Sequence, residues 1–125
     1  MAGHGFFYWN ELLCADVDAA KAFYGETLGW SFSAMPMQKG NYWIASVRSS
    51  PVAGILDIAT TELPDTTPPH WMGYIAVDDV DGRITKVERA GGKVLRPVFA
   101  VPGVGRIAMI EDSAGAVIGW MTPER

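Results

Sequence analysis

Hydrophobic and polar residues alternate in short runs along most of this chain, and two segments show helical spacing instead. The first starts at Asp16, whose carboxylate can accept hydrogen bonds from the free N–H groups of a first helical turn. Its apolar residues recur at helical spacing up to Leu28, and Gly29 suits the left-handed residue that ends a helix. The second segment starts at Asp79 and should end at Gly91-Gly92. The pattern therefore predicts two helices in a chain made mostly of strands.

Runs rich in aromatic and β-branched residues predict the strands. One precedes the first helix at residues 6–14, and three follow it at residues 30–37, 42–48 and 52–59. The second helix is preceded by residues 71–77 and followed by residues 94–101, 106–111 and 117–121. Turns are predicted at Lys39-Gly40-Asn41, at Ser49-Ser50-Pro51 and in the hairpin before Arg106. Both halves thus have the order β-α-β-β-β.

A short internal repeat supports this two-part organisation. Asp16-Val17-Asp18 recurs as Asp79-Val80-Asp81, an offset of 63 residues (79 − 16), and Gly29 matches Gly92 at the same offset. Repetition at nearly half the chain length indicates two copies of one supersecondary unit. We expect one domain over residues 1–125, with module one at about 6–59, a Pro- and Thr-rich linker at about 60–69 and module two at about 70–123.

Composition narrows the classes of protein that this chain can belong to. With 49% hydrophobic and 19% charged residues among 125, the chain should fold rather than stay disordered. The net charge of −4 disfavours a nucleic-acid partner, which requires a dense basic surface. Without a secretory leader or a long apolar run we expect a cytoplasmic protein, not a membrane protein. Cys14 is the only cysteine, so neither an internal disulfide nor a thiolate metal cluster is possible.

The helix and its flanking segments resemble a known superfamily. The matching residues are Asp16 to Tyr24 with Leu28-Gly29-Trp30, Tyr74 to Asp81, Gly91-Gly92, and Glu111 to Gly115. Together they resemble the vicinal oxygen chelate superfamily of glyoxalases, extradiol dioxygenases and bleomycin-resistance proteins. The resemblance implies an α+β fold in which two βαβββ modules form paired curved sheets around a cleft, with the helices outside. It also implies a small-molecule ligand and a homodimer.

The resemblance also identifies where metal-dependent members hold their cation. Those members carry a ligand on the first strand of each module, which corresponds here to Trp9 and Met72. Last-strand ligands correspond to Gly119 and to Gly54 or Leu56. None of these residues suits Zn, Fe or Mn. We therefore expect a subgroup without the usual metal ligands, and no metal or other cofactor.

Candidate site residues follow from strand alternation. Trp9 and Glu11 share one face of the first strand, and His70, Met72 and Tyr74 are the module-two equivalents. We expect Glu11 and Tyr74 to form an acid–base pair, because burial between apolar residues would raise the pKa of the Glu11 carboxyl. Trp9, His70, Met72, Trp43 and Arg106 are the predicted ligand-binding residues. Whether Tyr42 or Trp43 faces inward is left open by the sequence.

Three functions are compatible with these residues. The first is a glyoxalase- or bleomycin-resistance-like protein that binds a small hydrophobic or aromatic molecule in a metal-free cleft, with or without acid–base chemistry by Glu11 and Tyr74. The second is a metal-dependent lyase, isomerase or dioxygenase with displaced ligands, Glu11 and His70. The third is a non-catalytic interaction module whose cleft is filled by Trp9 and Met72.

Overall fold

A computed structural model describes residues 3–124 and contains eight strands and two α-helices within that range. The first half holds β1 (Phe7–Cys14), α1 (Val17–Leu28), β2 (Ser31–Pro36), β3 (Asn41–Val47), β4 (Ser50–Asp57) and one 3₁₀ turn at Ile58–Thr60. The second half holds β5 (His70–Ala76), α2 (Val80–Ile84), β6 (Lys93–Val101), β7 (Gly105–Glu111) and β8 (Val117–Pro123). The predicted α+β class and the repeated β-α-β-β-β order are confirmed.

The chain forms two compact units, which we name by their position. The N-terminal unit is Asn10–Trp71, and the C-terminal unit contains residues 3–9 and 72–124. Strands of the N-terminal unit are ordered β2-β3-β4-β1, with β1 and β4 parallel. Strands of the C-terminal unit are ordered β5-β8-β7-β6, with β5 and β8 parallel. In each unit the parallel pair therefore joins the first and last strands of one β-α-β-β-β run.

Helix α1 begins and ends where its capping residues predict. The Asp16 carboxylate accepts from the N–H of Ala19 at 3.0 Å, and Gly29 adopts a φ of 73°. Only glycine adopts that left-handed conformation without a steric penalty. Local chemistry alone thus fixes both ends of this helix.

Helix α2 is shorter than its hydrophobic pattern predicts. It ends at Ile84, and the chain continues to Gly91 through turns with bonds from N–H groups to carbonyls three residues back, such as Val87 to Ile84 at 3.2 Å. Val80 and Val87 are nevertheless buried. The apolar spacing therefore predicted which side chains are buried, but not the regular helix.

The hairpin between β3 and β4 is tighter than predicted. Val47 pairs with Ser50, so only Arg48 and Ser49 form the turn, and both have positive φ values of 49° and 69°. Two-residue turns with positive φ at both positions match the twist of the flanking strands. Ser50 and Pro51, predicted as turn residues, belong to β4 instead.

Each helix covers one face of its own sheet. In the N-terminal unit, Val17, Ala20 and Tyr24 of α1 pack against Leu12 and Ile55. In the C-terminal unit, the corresponding cluster contains Val77, Val80 and Ala108, with Ile75 and Trp120 packed against it. We call the opposite side of each sheet its open face. Neither helix within residues 3–124 has the length and apolar character needed to cross a bilayer.

Cys14 lies in the cluster under α1, on the side that strand alternation predicts. Burial, followed by the nearby carboxylates of Asp57 and Asp16, raises the pKa of its thiol. A thiol is nucleophilic only as the thiolate, so Cys14 is a structural residue.

Candidate functional site

The carboxylate of Glu11 lies on the open face of the N-terminal unit. Leu12 and Ile55 are register partners packed under α1, so the preceding pair, Glu11 and Gly54, points to the other side. Glu11 is only 8% exposed. Its neighbours Leu13 and Leu56 on this face are apolar. A buried acid on an apolar sheet face is thus the first component of the candidate site.

Tyr42 brings a phenol to the same face. Ile44 pairs with Gly54, and Tyr42 lies two residues earlier on β3, so both share the face of Glu11. A Cβ added at Gly54 would overlap the hydroxyl oxygen, Cζ and Cε2 of Tyr42, which shows that the ring lies directly over this glycine. The open face therefore carries an acid and a phenol side by side.

Trp43 faces the other way. It pairs with Ile55 and packs against the cluster under α1, where the Lys21 ammonium lies 3.2 Å from the centre of its ring. Together with Asp16 and Asp57 it lines a surface cavity of about 280 Å³. Register thus resolves the choice left open by the sequence, because Tyr42 and not Trp43 shares a face with Glu11.

The open face of the C-terminal unit is built in a similar way. Tyr74 pairs with Gly119, and a Cβ at Gly119 would overlap the Tyr74 ring. Met72 and Tyr74 are both buried, and Met109 and Met121 lie on the same face. The part of this face formed by β5 and β8 is therefore apolar and rich in thioethers, with the Tyr74 phenol as a polar group, whereas β6 and β7 add Arg96 and Glu111.

Arg106 is outside this open face. It lies two residues before Ala108 on the helix side of β7, and its Nε and Nη2 donate to the Asp81 carboxylate at 2.7 and 2.8 Å. This hydrogen-bonded pair lowers the pKa of Asp81 and raises that of Arg106. An anionic ligand would have to compete with Asp81 for the guanidinium.

His70 and Trp9 lie close to the sequence boundaries of the units, His70 in the N-terminal unit and Trp9 in the C-terminal unit. His70 is half-buried, and its Nδ1 is 2.9 Å from the carbonyl of Pro68. Since a carbonyl only accepts, Nδ1 is the donor in this contact. Trp9 is half-buried on β1.

Buried polar side-chain atoms in the described residues all have hydrogen-bond partners. Trp9, Glu11, Tyr42 and Tyr74 each have a polar, charged or ring partner, and no buried side-chain N or O atom within residues 3–124 lacks a hydrogen bond. The contact between Glu11 and Tyr74, which belong to different units, stays a prediction.

The residues at the predicted cation positions do not form a donor set for a hard divalent ion. Gly54 and Gly119 have no side chain, Leu56 has only carbon, and Trp9 and Met72 offer an indole and a thioether. In the part of the chain that the structure describes, no three His, Cys, Asp or Glu side chains come together. The donor chemistry therefore does not fit the superfamily's usual metal.

Comparisons with known proteins agree on one superfamily. The sequence model described as "Glyoxalase/Bleomycin resistance protein/Dioxygenase superfamily" matches residues 8–119. A putative glyoxylase, CFP32 of Mycobacterium tuberculosis, is 38% identical over 119 residues, which is 94% of this chain and 45% of that protein. The anthracycline biosynthesis protein DnrV of Streptomyces peucetius is 32% identical over 124 residues, 86% of this chain and 43% of that protein.

Length and structure add two further facts. The chain spans less than half of each of these two relatives. Among solved structures, methylmalonyl-CoA epimerase from Mycobacterium tuberculosis superposes with a TM-score of 0.67 at 20% identity, over 100% of this chain and 93% of that one. At that identity the similarity shows the fold alone.

Proposed function

Since this chain belongs to the glyoxalase/bleomycin resistance protein/dioxygenase superfamily, we propose that it binds a small hydrophobic or aromatic molecule and that Glu11 is its acid–base group. The observation that carries the proposal is Glu11, a residue only 8% exposed on a sheet face where its strand neighbours Leu13 and Leu56 are apolar. Taking a carboxylate out of water costs free energy even when it has a partner, and ionisable groups placed at such a cost are concentrated at functional sites.

The ligand class follows from the side chains that surround the polar groups. Leu13, Ile44 and Leu56 on one open face, and Met72 and Met121 on the other, offer apolar contacts. Methionine side chains adapt to flat or irregular partners. The name of DnrV supports an aromatic ligand, because anthracyclines are planar polycyclic compounds.

In the proposed chemistry, Glu11 takes a proton from an acidic C–H or O–H group of the ligand. Donating a hydrogen bond to an oxygen on which charge develops is the role proposed separately for Tyr74. No step runs through a metal ion, because the cation positions carry indole, thioether and glycine. If the ligand has no acidic proton, the same site sequesters it without turnover.

The test combines a thermal-shift screen with matched variants. Planar aromatics, aliphatic acids and thiol conjugates are added to the wild type, Glu11→Gln and the surface control Glu26→Gln. We expect aromatics to raise the melting temperature of the wild type and of Glu26→Gln. If a compound that binds is also converted, Glu11→Gln should abolish its turnover or the pH dependence of that turnover. A ligand that binds only the native state stabilises it by RT ln(1 + [L]/Kd).

Two results would replace the proposal. Stoichiometric Zn, Fe, Mn or Ni in protein purified without a histidine tag would favour the metal-dependent lyase, isomerase or dioxygenase that uses Glu11 and His70. An absence of any shift with every compound class, with no metal bound, would favour the interaction module.

We also propose that the chain forms a homodimer through the outer surface of α1. No residue of this 12-residue helix is buried, and Phe23 and Leu28 are exposed beside the stacked rings of Tyr24 and Trp30. Contiguous apolar surface of this kind marks interaction sites. The partner we propose is a second copy of this chain. CFP32 and DnrV are each more than twice as long as the part that matches this protein, which leaves room for a second unit of the same size.

A further inference from the structure

The geometry points to Tyr42 as the positioning residue of Glu11, holding its carboxylate through the phenol hydroxyl in the space that Gly54 leaves open. This inference rests on the proposed acid–base role of Glu11 and adds the residue that orients it. Tyr42 is absent from the residues predicted to bind ligand, since strand alternation alone could not assign its face.

One register relation and one packing observation place the hydroxyl near Glu11. Glu11 and Gly54 are direct partners in the parallel β1–β4 pair, so their Cα–Cβ directions agree. The Tyr42 hydroxyl lies where a Gly54 Cβ would be. Neighbouring strands are about 4.8 Å apart, so the Glu11 Cβ lies roughly that far from the Gly54 Cβ position that the hydroxyl overlaps. A glutamate carboxylate lies two carbon–carbon bonds beyond Cβ, so it can reach a group at that distance.

Within the N-terminal unit, the other side chains on the open face make the Tyr42 hydroxyl the polar group best placed to bond the Glu11 carboxylate. On the open face of the N-terminal unit, β1 adds Leu13, β4 adds Leu56 and β3 adds Ile44. β2 adds Ser33 and Met35, the partners of Ile44 and Tyr42. Tyr42 is the only titratable side chain besides Glu11 that these four strands place on this face among the described residues. A donor to a carboxylate in apolar surroundings strengthens the ionised form and fixes its orientation.

Charged groups nearby belong to the other face. Asp57 pairs with Cys14 under α1, and its carboxylate accepts from the N–H of Ala59 at 2.9 Å. Lys21 lies over Trp43 on that same side. His70, the other titratable group at the end of this unit, is bonded to the Pro68 carbonyl.

The test is an NMR titration of the Glu11 side-chain carboxyl in protein without ligand. We expect Tyr42→Phe to raise the Glu11 titration midpoint by about one pH unit, because the ionised form loses a donor. Gly54→Ala should raise it as well, since the new methyl displaces the phenol while the hydroxyl is retained. The control is Tyr24→Phe, whose hydroxyl accepts from Trp71 Nε1 at 3.2 Å in the same unit, and it should leave the midpoint unchanged.

An unchanged Glu11 midpoint in folded Tyr42→Phe and folded Gly54→Ala would overturn the inference, and so would an equal shift in Tyr24→Phe. If Tyr42→Phe fails to fold, Gly54→Ala decides alone. The titration requires no ligand. If no compound binds but the Glu11 midpoint shifts in the variants, the proposed function is refuted and the Tyr42–Glu11 arrangement stands. If a compound binds but the midpoint does not shift, the arrangement is refuted and the proposed function stands.

Discussion

Two glycines of the N-terminal unit should respond to the same substitution with opposite signs. Gly25 lies inside α1, and a Cβ there would meet the Trp30 carbonyl oxygen at 3.6 Å and Phe32 Cε2 at 3.8 Å, which are ordinary contacts. At Gly54 the added Cβ would overlap the Tyr42 phenol. Both changes add one methyl group to the same unit, but only the methyl group at Gly54 enters space that is already filled.

The magnitudes follow from these surroundings. Alanine is favoured over glycine inside a helix by about 0.5–1 kcal/mol, so Gly25→Ala should stabilise the protein by about that much. Forcing a methyl group into filled space costs about 1–3 kcal/mol, which Gly54→Ala should lose. The two variants should thus differ by about 1.5–4 kcal/mol, or roughly 5–15 °C in melting temperature for a chain of this size.

Urea unfolding followed by circular dichroism measures both effects, and a double variant identifies the cause. Tyr42→Ala removes the ring, so Gly54→Ala should be nearly neutral in that background. A Gly54→Ala variant as stable as the wild type would refute the reasoning. So would a loss of stability that is undiminished in the Tyr42→Ala background, because the phenol would then not lie over Gly54.

Three further predictions concern groups away from the open faces. Because burial raises the pKa of Cys14, its reaction with a thiol reagent at pH 7.5 should be at least about tenfold slower in native protein than in urea. The Arg83 guanidinium lowers the pKa of Asp78 from 3.8 to about 2. The stability that Asp78 adds over Asp78→Asn should therefore be present above pH 4 and be lost as the pH falls through 2, and urea midpoints across this range check the sign. The double variant Phe23→Glu, Leu28→Glu should be monomeric by light scattering at concentrations where the wild type is dimeric, and a wild-type monomer would contradict the proposed interface.

Much of the candidate site was predictable from alternation in single strands. Glu11 lies opposite the helix-packed face, Cys14 is buried under α1, and Tyr74 lies across from a last-strand glycine. These positions follow from counting residues between a strand and the helix cap that comes directly after it. The rest depends on partners distant in sequence.

The amino-acid sequence by itself determined the two β-α-β-β-β runs and the ends of α1, because capping by Asp16 and the left-handed Gly29 act within one turn of chain. Tertiary structure decided that Tyr42 rather than Trp43 joins Glu11, and that Arg106 is bonded to Asp81. The physical reason is register: shifting a strand by one residue exchanges its two faces, and only pairing with β4 and β8 fixes which face each side chain takes.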